Sequence, residues 1–463
     1  MSRLVVISNR VAVPKARGVA GAQGGLAGAL NAALKDRGGV WFGWSGQESD
    51  DRTGNMDLQR NDGVTTATVD LSTRDVGEYY NGYANSTLWP LFHYRIDLAR
   101  FEQKTGEGYE RVNDRFATSV MPLIEEDDLV WVHDYHLIPL GERLRARGVE
   151  NRIGFFLHTP WPPTRLLTSL PFHERLVRTM LAYDVVGFQT EEWLSSFVHY
   201  CENELGAEID HDSGRITFEG RTVTARAYPI GIDWDHFSQQ GETEEAKTAE
   251  DRFLASIRGR TCMIGVDRLD YSKGLPERID GIGRFFDENS ERTRDLVFVQ
   301  IAPPSREDVE SYQHIRETLE QKTGQINGAR SEVDIVPIRY VNRGYSHAEL
   351  FGFFRASKIG VVTPLRDGMN LVAKEYVAAQ DPDDPGVLIL SEFAGAAHQL
   401  GCDGQGAVLV NPHSPDGMAS AIKKALDMPL DERKARYQRM IGTVRDDNVQ
   451  NWTTRFCEDL AAG

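Results

Sequence analysis

A chain of 463 residues is long enough for roughly two to three domains, and a hydrophobic fraction of 40% suffices for sizeable cores. The formal net charge of −17 lacks the basic footprint of a nucleic-acid partner, although local Arg and Lys clusters can still attract phosphorylated small substrates into a cleft. No stretch approaches the ~20 apolar residues that span a bilayer, and Met1-Ser2-Arg3 runs straight into a strand without a signal-peptide pattern, so a soluble, cytoplasmic protein with no membrane partner is expected.

In chain order, the strand candidates of the first half are Leu4–Ile7, Val40–Phe42, Thr65–Val69, Leu129–Val132, Ile153–Leu157, Val185–Phe188 and Thr224–Ala227. Those of the second half are Cys262–Val266, Leu296–Ile301, Val333–Ile338, Ile359–Val362, Val387–Leu390 and Ala407–Val410. Many are short continuous apolar runs, as parallel strands covered on both faces should be. Helical patterns lie between them, one with the apolar stripe Leu26, Leu30, Ala33 and Leu34. The alternation predicts an α/β chain with parallel sheets. The polar segment Asp235 to Asp251 separates two blocks, each long enough for a doubly wound domain, and Asn451 to Leu460 has helical character. The four cysteines, Cys201, Cys262, Cys402 and Cys457, show no C-x-x-C spacing and read as reduced structural thiols.

The segment from Leu365 to Glu375 carries the most chemistry. It leaves the apolar run Ile359-Gly360-Val361-Val362 through a glycine turn and enters a helical pattern. Such a strand, turn and helix start bring free N–H groups and a positive helix end to one point, a site for phosphate or diphosphate. Asp367 on the turn and Glu375, about a turn and a half inside the helix, would repel that anion unless they face hydroxyl groups. The segment therefore reads as a sugar-nucleotide site. A second strand, Thr261 to Val266, runs into Asp267-Arg268-Leu269-Asp270-Tyr271-Ser272-Lys273-Gly274. Arg268 and Lys273 project there from the carboxyl end of a strand, where open α/β sheets bind ligands. Two cations can neutralise a leaving nucleoside diphosphate without a metal.

With these stretches the chain resembles the trehalose-6-phosphate synthase family, retaining glucosyltransferases of the two-domain GT-B fold. Further matching stretches, in family order, are Ser8-Asn9-Arg10, Gly24-Gly25-Leu26, Trp41-Phe42-Gly43-Trp44, Glu78-Tyr79-Tyr80-Asn81, Leu88-Trp89-Pro90 and His133-Asp134-Tyr135-His136. Gly154-Phe155-Phe156-Leu157-His158, Gln300-Ile301-Ala302-Pro303, Asn327-Gly328 and Thr363 to Gln380 complete the set. One such motif is weak, whereas the ordered set spans nearly the whole chain. The resemblance implies two Rossmann-like doubly wound domains facing each other across a cleft. Residues 1–235 would bind the acceptor and 236–445 the nucleotide sugar, and a helix over 446–463 would cross back to the first domain.

Each candidate has a plainer alternative. A lone arginine such as Arg10 after a strand is more often a surface charge, and Gly24-Gly25 can be a simple turn. Aromatics such as Trp41, Tyr80 and Trp89 are more often core, though flat rings also pack on sugar C–H faces. A histidine after a strand, such as His158, is more often structural, and a helix-start arginine such as Arg306 more often solvated. The resemblance shifts these readings. It implies that Arg10 and Arg306 bind the acceptor phosphate together with Tyr80, and that Trp41 and Trp89 shape the pocket. It places Asp134 at acceptor hydroxyls, His158 near the transferred glucose, and Gly24 and Gly25 between donor and acceptor. The Val11 to Gln23 loop reads as one that orders over substrate. His133 and His136 lack metalloprotease-type spacing and have no cysteine nearby, and Asp233–Asp235 and Asp381–Asp383 read as polar loops, so no metal or other cofactor is expected. Trp161 stands where many relatives carry Phe, which puts one part of the pocket wall in doubt.

The expected reaction is transfer of glucose from UDP-glucose to glucose 6-phosphate, giving α,α-trehalose 6-phosphate and UDP. Arg268 and Lys273 would stabilise the departing diphosphate, assisted by amides of Gly368, Met369, Asn370, Leu371 and Val372. Asp367 would hold glucose hydroxyls and Glu375 the ribose. The family pattern implies front-face substitution, while the residues alone leave double displacement open. They also leave open a homo-oligomer, another nucleotide, another acceptor such as glycerol 3-phosphate, a silent regulatory subunit and an isomerising enzyme. Arg268, Lys273, Asp367 and Glu375 speak against the silent subunit, and Arg10, Tyr80, Trp89 and Arg306 against the isomerase.

Overall fold

The computed structural model describes residues 2–11, 30, 34, 38–50, 55–61, 63–305 and 310–462. The chain divides into two compact units. Of the described residues, one contains those up to Ile230 together with those from Val449 onward, and the other those from Gly231 to Asn448.

The first unit holds a ten-stranded sheet in the order β3-β4-β2-β1-β5-β6-β7-β10-β9-β8. Its parallel centre is β4 (Val64–Leu71), β2 (Gly39–Glu48), β1 (Leu4–Arg10), β5 (Leu129–His133), β6 (Ile153–Phe156), β7 (Val185–Phe188) and β10 (Arg221–Ala227). Continuous burial along β1, β5, β6 and β7 matches their unbroken apolar runs. Antiparallel strands close both edges: β3 (Met56–Asn61) on one side, β9 (Arg215–Phe218) and β8 (Glu208–Asp210) on the other. The helix Val449–Ala462 packs on this unit; Phe456 stacks on Trp131 at 4.5 Å, and Tyr228 Oη donates to Asp459 at 2.6 Å.

The second unit holds a six-stranded parallel sheet in the order β13-β12-β11-β14-β15-β16. These are β11 (Thr261–Val266), β12 (Leu296–Ile301), β13 (Ile338–Val341), β14 (Ile359–Val362), β15 (Val387–Ser391) and β16 (Val408–Val410). This is the doubly wound order, in which the chain reverses direction across the sheet between the first and fourth strands. The switch point lies between β11 and β14 here, and between β1 and β5 in the first unit.

Two expectations change. The apolar run Val333–Ile338 is not a strand: Val333 is fully exposed, and β13 begins only at Ile338, where Asn327 bonds both backbone groups of that residue. The polar segment Asp235 to Asp251 forms most of two helices, Trp234–Gly241 and Glu244–Ile257, capped by Asp233 and Thr243, and belongs with the second unit. Among the described residues no helix is long and apolar enough to cross a membrane.

Candidate active site

At the switch point of the first sheet, β1 bulges. Ile7 pairs with Phe42 but Arg10 pairs with Trp44, so three steps along β1 match two along β2. Bulges re-aim side chains, and this one carries exposed Arg10 out over the Trp44 ring, 5.5 Å from its centroid. The Trp44 edge meets Tyr80 at 5.4 Å, and Tyr80 stacks on His136 at 5.9 Å. Tyr80 rides on a helix of π type, Val76–Leu88, which runs into Trp89. Trp89 is buried against His93 and Tyr135.

Trp41 differs from the expectation of a pocket wall. It is 3% exposed, and its indole N–H donates to Ser8 Oγ at 2.9 Å. It therefore props the bulge from beneath. Trp44, by contrast, was not among the expected site residues although it carries both Arg10 and Tyr80. The signal was the second tryptophan, three positions after Trp41 and near the strand's end. Trp161 is fully buried among Phe92, Phe188 and Phe197.

Asp134 follows β5 with φ 76° and ψ 165°, a region nearly reserved for glycine. Strain of that kind costs about 1–3 kcal/mol and persists where the surroundings over-determine it. Here they do: Asp134 N donates to Phe156 O at 2.8 Å, Asp134 Oδ1 accepts from His158 N at 3.2 Å, and Tyr109 Oη holds the next carbonyl at 2.6 Å. The strand-end loops bearing Asp134 and His158 are thereby joined.

His158 faces protein through both ring nitrogens. Gln189 Nε2 lies 3.3 Å from Nδ1, and His133 Nδ1 lies 3.1 Å from Nε2. The Ile230 amide donates to Gln189 Oε1 at 3.0 Å, which fixes the orientation of that side-chain amide. Gln189 is therefore the donor to Nδ1, and His158 donates its Nε2–H to His133 Nδ1. Burial pushes the His158 imidazole down to about 3 and takes His133 well below its ordinary value. A histidine so committed is a weak base.

At the switch point of the second sheet, two loops meet. Leu365 N donates to Ser272 O at 2.8 Å, and Lys273 Nζ bonds Asp367 Oδ2 at 2.5 Å, with both side chains about seven-eighths buried. Asn370 adopts a left-handed conformation at φ 77°, caps the helix Leu371–Ala379 by accepting from Ala373 N, and donates to Asp367 Oδ2 at 3.0 Å. Asp367, Met369 and the turn after β15 lock together: Asp367 N bonds Phe393 O, Gly395 N bonds Asp367 O, and Ala396 N bonds Met369 O. A Cβ at Gly395 would stand 2.0 Å from Gly368 O, so only glycine permits this approach.

Among the described residues, no acceptor takes the N–H groups of Gly368, Met369, Asn370, Leu371 or Val372. Five donor amides beside a helix N-terminus make an anion cradle. Arg268, half-exposed, lies 3.6 Å from buried Asp270. Glu375 is half-buried one turn into the helix, and burial lifts its carboxyl to about 7. Its neighbour Lys374 is fully buried and pushed down to about 7, opposed by Asp447. No group of three or more His, Cys, Asp or Glu among the described residues could hold a metal ion. Gly24, Gly25, Arg306 and the Ala12-to-Gln23 part of the expected substrate loop lie outside the described residues.

The chain matches the family model for glycosyltransferase family 20 over residues 2–462. It is 47% identical to the trehalose-6-phosphate synthase of Sinorhizobium fredii, covering 100% of this chain and 99% of that one. Among solved structures it is similar to the UDP-forming α,α-trehalose-phosphate synthase of Burkholderia xenovorans in complex with glucose 6-phosphate, with a TM-score of 0.94 and 46% identity over 99% and 100% of the two chains. A trehalose-6-phosphate structure from Escherichia coli bound with UDP-2-fluoroglucose gives a TM-score of 0.93 and 41% identity over 99% of both. With two parallel-sheet units of the GT-B type and a match over its whole described length, the chain belongs to glycosyltransferase family 20.

Proposed function

We propose that this chain transfers glucose from UDP-glucose to glucose 6-phosphate with retention, releasing UDP and α,α-trehalose 6-phosphate. The observation that carries the reading is the amide row from Gly368 to Val372, unpaired among the described residues, beside Lys273 and Asp367. It offers donors for a diphosphate and a carboxylate for sugar hydroxyls in one place. Family membership over the full length and the named relatives support the substrates.

In this reading the donor diphosphate takes the amide row and the two cations Arg268 and Lys273. Lys273 then shares its charge with phosphate, and Asp367 turns from an ion-pair partner into an acceptor for glucose hydroxyls. Glu375 accepts from the ribose. On the other unit, Arg10 and the Tyr80 hydroxyl take the acceptor phosphate, Trp89 walls the pocket, and Asp134 orients an acceptor hydroxyl. Arg306, Gly24 and Gly25 keep their expected roles as part of the proposal.

His158, with both ring nitrogens held by protein, leaves the acceptor proton to another base. Front-face substitution supplies one. The bond from glucose C1 to the phosphate oxygen breaks while C1 bonds the acceptor oxygen on the same face, and the departing phosphate oxygen takes the acceptor proton. Preorganised cations and amides stabilise the charge that develops there. A cytoplasmic location belongs to the same proposal, since both substrates are charged phosphorylated metabolites.

An acceptor panel tests the reading. With UDP-glucose as donor, glucose 6-phosphate should support UDP release coupled to disaccharide formation, whereas glycerol 3-phosphate and free glucose should not. Faster coupled turnover with glycerol 3-phosphate would assign a different acceptor.

A further inference from the structure

We propose that Arg278 is a positioning residue for the donor site: its guanidinium absorbs the charge of Asp267 and so reserves Lys273 for Asp367 and the donor diphosphate. The inference rests on the donor-site reading of Lys273 given above.

Arg278 lies in the helix Leu275–Glu288, and its side chain is completely buried. Nη1 donates to Asp267 Oδ2 at 2.7 Å and to Gln300 Oε1 at 2.9 Å, and Nε donates to Thr363 Oγ1 at 2.9 Å. Nη2 reaches the Lys273 carbonyl at 3.4 Å. These partners stand at the carboxyl ends of β11, β12 and β14 and on the loop that bears Lys273. One guanidinium therefore ties together the strand ends that flank the switch point. Gln300 cannot turn away, because its Nε2 is held by the Gly265 and Ile301 carbonyls. Nor can the loop shift easily. Gly274 has φ 62°, and a Cβ on it would stand 2.5 Å from Thr363 O.

The charges decide why an arginine sits there. Burial raises the carboxyl of Asp267, which has 2% of its side chain exposed, whereas Arg278 and Lys273 favour its charged form and Asp367 opposes it. Two cations and two carboxylates thus share one small volume, and the observed pairing is Arg278 with Asp267 and Lys273 with Asp367. A buried carboxylate that loses its partner must protonate or take another cation. The remaining cation of the cluster is Lys273. Without Arg278, Asp267 draws Lys273 inward, away from Asp367 and from the diphosphate. Glutamine at this position keeps hydrogen-bonding capacity but removes the charge.

The test compares UDP with uridine, which lacks the diphosphate, on the full chain by calorimetry. Arg278→Gln should lower the UDP-to-uridine affinity ratio by roughly tenfold, the scale of one lost charge-assisted contact. Asp267→Asn combined with Arg278→Gln should restore the ratio to within about threefold of the parent. Equal loss of UDP and uridine binding in the single variant, or no recovery in the double variant, overturns the proposal. Should Arg278→Gln fail to fold, Asp267→Asn alone decides. The ratio must hold or rise, because Lys273 is then less contested, and a roughly fivefold fall would contradict the account. Failure of the underlying donor-site reading shows separately, as Lys273→Ala leaving the ratio unchanged.

Discussion

Lys273 Nζ lies 2.5 Å from Asp367 Oδ2, an ion pair that joins the loop after β11 to the loop after β14. Each neutralises the other. In the proposed function the diphosphate and the glucose hydroxyls divide the pair between them, so the two residues should respond to substitution in opposite ways.

Lys273→Ala removes a charge-assisted contact worth about 1.5–3 kcal/mol, so UDP affinity and turnover should both fall at least roughly tenfold. Asp367→Asn leaves Lys273 uncontested, so UDP should bind as well as or better than to the parent, while turnover collapses for want of a hydroxyl acceptor. Calorimetry with UDP and initial rates with UDP-glucose check both. Parallel losses of UDP affinity in the two variants would contradict the division.

With Glu375 as the proposed ribose acceptor, donor binding should depend on pH. Its carboxyl is raised to about 7, so it is partly protonated at neutrality. A carboxylic acid accepts hydrogen bonds from ribose less well than a carboxylate. UDP-glucose affinity should therefore weaken as pH falls from 8 to 6, a window in which the diphosphate diester itself does not titrate. Lys374 titrates in the same range, so Glu375→Gln separates them: that variant should lose the pH dependence. For stability the sign is reversed. A raised carboxyl favours the protonated folded form, so its destabilising effect grows as pH rises from the unfolded value near 4.5 to about 7. Glu375→Gln should accordingly raise the melting temperature at pH 8 more than at pH 5.

The proposed function places Arg10 and Tyr80 on the acceptor side. Arg10→Ala and Tyr80→Phe should each raise the KM for glucose 6-phosphate, the first by roughly tenfold or more and the second by less. Neither should change UDP affinity, because both residues lie in the first unit. Trp44→Leu removes the ring beneath Arg10 and should imitate Arg10→Ala in part. A matching loss of UDP binding in any of the three would refute the assignment.

The histidine pair, His133 buried and His158 half-buried, should make the fold acid-sensitive. His158 and His133 stay neutral in the folded chain to well below 6.5, while the unfolded chain takes up protons near that value. Stability should fall as pH drops below about 6.5, by up to about 1.4 kcal/mol per pH unit for each histidine. Replacing His158 with Asn should flatten that slope in urea titrations at pH 6.5 and 5. An unchanged slope would mean that the pair ionises normally in the folded chain.

The sequence was most legible where strands are buried on both faces. β7, β12 and β14 coincide with their apolar runs, because a fully covered parallel strand tolerates little else. Edge strands escaped: β3 (Met56–Asn61) is almost wholly exposed, and β8 and β9 carry few buried residues. Val333 and Val336 misled for the opposite reason, being apolar yet exposed. Of the candidate site, Lys273 and Asp367 stood out by type and spacing, and the structure joins their loops through an ion pair. Trp41 was misassigned because an indole cannot be told from sequence to be prop or wall. Arg278 was missed although it shares the apolar face of Leu275, Ile279 and Ile282. A charge on such a face is the signal that a buried partner exists, but the partner, Asp267, is specified only by packing.

The most direct measurement is product analysis by carbon and proton NMR after incubating the purified chain with UDP-glucose and glucose 6-phosphate. The account predicts one new non-reducing disaccharide phosphate with both anomeric centres α, formed mole for mole with UDP. A β linkage at the transferred glucose, or UDP released without disaccharide, would contradict it.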